Sequence, residues 1–278
     1  MTQLTRKTIS ALAALAVMGG VMTITPLSAH AANTTVTIVA SDTVAGVKQK
    51  IDEAMAVSNS GDTVTVTGSK TDANSTLFVN MTPGVTLMWK ATYSGSVDYP
   101  SFLVSIGSSV GLAFSFELAS SGSIINRATG TTLLHGGYSI TTKIAGTLTN
   151  TMGGIALGYR GIKKTTMDIS GTVSATGNAC AVLLDEFTDE TTLTITGSVT
   201  SELYGEAIVA KKSEVVVKSG KVTAGSSNAI NAYTVRISGG TVSSTGANPT
   251  VTALTVDVSG GSVNNTGSGT AIEAKAVD

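Results

Sequence analysis

The stretch LTVDVSGGSVNNTGSGTAIEA, residues 254–274, decides the fold. Leu254, Val256 and Val258 alternate with Thr255, Asp257 and Ser259, the period of a strand with one buried face. Gly260 and Gly261 turn the chain, Val263 centres a second short strand, a polar turn containing Gly267 follows, and Ile272 and Ala274 mark a third. The same plan recurs from residue 141 onward. Aligned on the glycine before the second strand, the copies begin at Gly146, Gly171, Gly197, Gly220, Gly240 and Gly261, at intervals of 25, 26, 23, 20 and 21 residues. One such unit cannot bury its apolar positions. Stacked about 4.8 Å apart, the units pair every strand with its equivalents above and below and enclose a common core.

The alignment predicts three inward ladders. The first strand supplies Ile144, Ile169, Ile195, Val217, Ile237 and Val258, and the second supplies Leu148, Val173, Val199, Val222, Val242 and Val263. The third is read as Ile155, Cys180, Ile208, Ile230, Val251 and Ile272, with Leu157, Val182, Ala210, Ala232, Ala253 and Ala274 two positions on. This places Cys180 on a buried ladder as a structural thiol; being the only cysteine, it has no disulfide partner. Corner glycines such as Gly177, Gly246 and Gly267 are expected at positive φ. The fold class expected is all-β, a right-handed parallel β-helix with three short strands per coil, its regular coils spanning about 141–278.

Upstream, Gly122-Ser-Ile and Gly95-Ser-Val read as less regular copies. Residues 43–57 carry Val44, Val47, Ile51, Ala54 and Met55 at helical spacing, with Lys48, Lys50, Asp52 and Glu53 between them. That pattern predicts an amphipathic helix over the open first coil, a device that protects an exposed edge. Residues 1–31 have a basic start, an apolar middle and an Ala-His-Ala end, the three parts of a secretory signal peptide. The expected mature chain is therefore one domain, 32–278, secreted or held at the cell surface, with no integral membrane segment after cleavage. At the other end the sequence stops where another coil would begin, and no cap is evident. Missing coils or a covering partner are the two expectations, the first preferred.

Composition narrows function. The chain has 17 Lys and Arg against 18 Asp and Glu, a formal charge of −1, so no nucleic-acid partner is advertised. Aromatic residues are only 4% of the chain and charged residues 13%, a poor stock of rings and charges that argues against a typical enzyme pocket.

Two segments carry a family resemblance. Residues 46–57 (GVKQKIDEAMAV), followed by 60–66 (SGDTVTV), resemble the cap and first strand of pectate-lyase-like right-handed β-helices. The copies VRISGGTVSSTG, residues 235–246, and VDVSGGSVNNTG, residues 256–267, resemble exported clostridial β-helix proteins classed as carbohydrate-binding. The resemblance implies affinity for cell-wall or plant polysaccharide. Hydrolases of similar fold use paired acids and a Gly-His-Gly; the nearest matches here, around His135 and Arg236, lack the rest of that set, and no repeat-aligned acidic pair stands across a bond. Arg160, beside Lys163 and Lys164, reads as a solvated turn rather than a lyase base.

The candidate ligand residues are few. Trp89, Tyr93 and Tyr99 form, with Phe102, the densest aromatic stretch, and a ring stacked on a sugar face is the usual means of binding one. Of Phe114 and Phe116, one is expected in the core. Asp185, Glu186, Asp189 and Glu190 supply four carboxylates in six positions, a potential Ca²⁺ site, although the spacing is not that of a dedicated calcium loop and a solvated acidic turn is the plainer reading. The outward positions of the first strands mix Thr with Asp, Glu, Lys and Arg, which argues against a flat ice-binding face. The leading expectation is thus an exported, non-catalytic β-helix that binds polysaccharide or serves in adhesion. The alternatives are a diverged lyase or hydrolase of this fold and a purely structural stalk.

Overall fold

The computed structural model describes residues 31–108, 113–137, 140–161, 165–184 and 191–276; the expected leader lies outside them. Among the described residues, 22 strands join one sheet wound as a right-handed parallel β-helix. The first ladder runs Val36, Val66, Trp89, Leu118, Ile144, Ile169, Ile195, Val217, Ile237 and Val258, each paired with the next in parallel register. The second runs Lys70, Tyr93, Ile124, Leu148, Val173, Val199, Val222, Val242 and Val263. Between Val36 and Ile237 the first ladder is buried along its whole length. Val and Ile dominate both because β-branched side chains pack well on a pleated surface.

The third ladder departs from the expected alignment. It runs Leu77, Val104, Leu133, Leu157, Val182, Ile208, Ile230, Val251 and Ile272, so Leu157 and Val182 occupy the places assigned to Ile155 and Cys180. A slip of two residues preserves which face each side chain points to, and alternation alone cannot detect it. In consequence Cys180 sits half-buried at a corner, where burial and the nearby Glu206 carboxylate push its thiol up to about 11. A parallel correction applies upstream. Tyr93 pairs with Ile124, so residues 91–93 are the equivalent of 122–124 and the copy read at Gly95 is displaced. Phe114 and Phe116 are both core.

The corner glycines serve close approach more than unusual φ. A Cβ on Gly171 would lie 2.2 Å from the carbonyl oxygen of Gly146, and one on Gly197 equally close to that of Gly171. Gly177 does have positive φ, at 93°, whereas Gly246 and Gly267 are excluded from bearing a side chain by backbone oxygens of the preceding coil. At the opposite corner two buried asparagines stack. Asn126 Nδ2 donates to the carbonyls of Val97 and Gly130, while Asn150 Nδ2 donates to those of Ala128 and Gly130 and its Oδ1 accepts from the Gly154 N–H. These amides satisfy backbone groups that the bend removes from the ladder.

The predicted cap helix is present as Val44–Val57. Thr43 Oγ1 accepts from the Gly46 N–H at 3.0 Å, satisfying a donor of the first turn. Val47, Ile51, Ala54 and Met55 are buried against the strands Asn33–Ile38, Thr63–Ala73 and Leu77–Asn80. Among the described residues, no helix is long and apolar enough to cross a membrane.

Candidate functional site

The structure does not bring the three sequence-predicted aromatics together. Trp89 and Tyr93 are fully buried, which removes them as sugar contacts. Register is the reason: Trp89 stands in the first inward ladder between Val66 and Leu118, and Tyr93 in the second between Lys70 and Ile124. Their rings meet edge to face with centroids 5.7 Å apart, and Trp89 Nε1 donates to the Ala91 carbonyl at 3.0 Å. Tyr99 is 81% exposed, in the turn that follows the strand Thr92–Gly95. The acidic residues Asp185, Glu186, Asp189 and Glu190 lie outside the described residues; among the described residues no group of three or more His, Cys, Asp or Glu side chains is placed to hold a metal. His135 belongs to the core, its ring centroid 5.0 Å from that of Phe116 and its Nδ1 3.3 Å from Thr142 Oγ1.

The outer surfaces of the three ladders differ in chemistry. Along the second, outward positions read Thr147, Thr172, Ser198, Lys221, Thr241 and Ser262 in one row and Thr149, Ser174, Thr200, Thr223, Ser243 and Asn264 in the next. Along the first they include Lys143, Asp168, Thr194, Val216, Arg236 and Asp257, with Arg236 Nε donating to Glu214 at 3.0 Å. Along the third the outward row reads Phe78, Ser105, Leu134, Gly158, Leu183, Val209, Asn231, Thr252 and Glu273. Apolar side chains that would ordinarily be Thr or Ser on a solvated strand face are concentrated here.

This row floors two adjoining depressions. One, of about 320 Å³, is lined by Phe102, Leu134, Ile155, Gly158, Leu183, Leu184 and Val209 together with Thr131, Tyr159, Arg160 and Lys211. Gly158 stands in the row between Leu134 and Leu183, and Leu134 Cδ1 leans to within 3.2 Å of the place its Cβ would take. The other, of about 290 Å³, is lined by Asn231, Tyr233, Thr252, Leu254, Glu273 and Lys275 and again by Lys211. Tyr233 is half-exposed there, and Asn231 Nδ2 donates to Glu206 Oε1 at 2.9 Å. The ladder register shifts between Ala210 and Glu214, so the strand Ile208–Val217 bulges where Lys211 lines both depressions.

Sequence reasoning missed Tyr233, although a signal for it was present. It follows the aligned inward Ala232, and alternation alone turns it outward. The juxtaposition of Gly158 and Leu183 with Val209 is hidden, because the sequence alignment sets the coils carrying Ile155 and Cys180 two residues out against the coil carrying Ile208.

Fold and surface together define a class: a right-handed parallel β-helix with two depressions, sharing Lys211, on the outer face of its third ladder. No protein-family model matches the chain, nor does any curated protein or solved structure.

Proposed function

We propose that the protein is an exported, non-catalytic β-helix that binds polysaccharide along the outer face of the third ladder. The observation that carries this reading is the half-exposed Tyr233, with Asn231, Thr252, Glu273 and Lys275 around it on stacked coils. A phenol ring gives a pyranose an apolar face to stack on, and the amide, hydroxyl and charged groups supply directional hydrogen bonds to its hydroxyls. Support also comes from the signal-like leader and from the resemblance of the 235–267 repeats to exported carbohydrate-binding β-helices of the pectate-lyase-like type.

The test is retention of the protein on insoluble polysaccharides and on a glycan array. Wild type is expected to bind at least one neutral or acidic glycan, and Tyr233→Ala to weaken that binding at least about tenfold, the effect of losing an aromatic anchor. Tyr99→Ala is expected to leave it unchanged. No retention on any glycan, or full retention by Tyr233→Ala, overturns the proposal; ultraviolet-absorbing unsaturated uronides released on incubation would replace it with a lyase.

A further inference from the structure

Resting on that reading, we infer that the saccharide is an extended, neutral β-1,4-linked chain of the glucan, xylan or mannan type, lying parallel to the solenoid axis across Tyr233 with one sugar per coil. The depression around Tyr233 is built from four successive coils. Asn231, Thr252 and Glu273 stand in register on three of them, and Tyr233, Leu254 and Lys275 each follow one of the paired alanines Ala232, Ala253 and Ala274. Lys211 comes from the coil before. Three steps of about 4.8 Å make the depression roughly 14 Å long along the axis, whereas two residues along a strand make it only about 7 Å across. A straight, narrow ligand matches that outline. A chain that coils does not.

The chemistry repeats with the same period. On each of the three coils a polar group (the Asn231 amide, the Thr252 hydroxyl, the Glu273 carboxylate) stands beside apolar surface: the ring of Tyr233, the isobutyl group of Leu254, the methylene stem of Lys275. A sugar linked through equatorial oxygens has the matching pattern, an apolar C–H face with hydroxyls around its edge. Extended β-1,4 chains of such sugars advance about 5 Å per unit, close to one coil, while α-1,4- and β-1,3-glucans bend away from a straight row within a few units. Charge favours a neutral chain. Glu206, which accepts from Asn231 Nδ2 at 2.9 Å, and Glu273 stand against Lys211 and Lys275, so no net charge is offered to an acidic polymer.

The experiment is calorimetric titration of the full chain with cello-, xylo- and manno-oligosaccharides of two to six units, and with maltohexaose and laminarihexaose. At least one β-1,4 series is expected to bind, its affinity rising up to about four units, one per coil of the depression, and level beyond. The hexaose of that series is expected to bind at least about tenfold more tightly than maltohexaose or laminarihexaose. Glu273 is exposed, so its truncation disturbs no packing. Glu273→Ala is expected to weaken the tetraose at least about threefold and to leave the biose, which sits on the coils of Tyr233 and Leu254, at the wild-type value. Equal or tighter binding of either bent glucan, no gain beyond two units, or an equal loss for biose and tetraose in Glu273→Ala overturns the inference. Retention on an acidic glycan with no neutral β-1,4 oligomer bound also overturns it and leaves the broader proposal standing; retention on no glycan ends both.

Discussion

His135 illustrates how a single side chain inside a coil acquires a pH dependence. It is fully buried between Ile106 and Tyr159 in the third ladder, and its Nε2 has no hydrogen-bond partner. Burial holds the imidazole neutral and takes its pKa down from 6.5 to about 3. The unfolded chain therefore binds a proton first as pH falls. The stability His135 contributes is full above about 6.5 and is lost on the way down toward 3, at about 1.4 kcal/mol per pH unit. Urea denaturation is expected to show His135→Leu losing about 2–3 kcal/mol less than wild type between pH 7.5 and 4.5. Parallel losses in the two proteins would contradict the buried neutral ring. Sequence could flag His135 as the one histidine outside the leader; only register shows that it points inward.

At the scale of the elements, the turns are held by two different uses of glycine. Gly171 has no room for a side chain, because a Cβ would meet the Gly146 carbonyl at 2.2 Å and the Ala145 carbonyl at 2.4 Å. Gly61 has room on every side but lies at φ 95°, after the cap helix. Gly171→Ala should force adjacent coils apart and cost about 3 kcal/mol, as overpacking does, whereas Gly61→Ala should cost only the ~1–2 kcal/mol of a left-handed residue. Thermal unfolding of the pair measures the difference, and equal costs would reject the close-approach account. The sequence places Gly171 at the turn before a second strand and Gly61 at the end of the helical segment, and the structure agrees. Sequence could not separate their reasons, since a carbonyl from the coil below is a contact more than twenty residues away.

For the whole molecule, stability is a sum over stacked coils, each touching its neighbours. Ile195 lies mid-stack, fully buried between Ile169 and Val217. Ile195→Ala is expected to cost about 2–5 kcal/mol. Hydrogen exchange should quicken first in the strands Thr166–Ile169, Thr192–Ile195 and Ile208–Val217, with the cap helix Val44–Val57 little changed. Uniform acceleration through helix and coils alike would mean that the solenoid opens as one unit. The faces follow the same logic of position. Each outer face inherits its chemistry from the outward residues of successive coils, so a depression on it is a property of the stack and of no single repeat.

What the sequence by itself determined was the class of fold: period-two alternation, a 20–26 residue repeat and a helical prelude have one economical solution, because a lone coil cannot bury its apolar face. Tertiary structure decided the rest. It sent Trp89 and Tyr93 into the core, moved Cys180 off its ladder, and set Leu134, Gly158, Leu183 and Val209 in one outward row. The physical reason is that alternation records which face a residue takes, modulo two, while burial and groove formation depend on which residues of distant coils stand side by side.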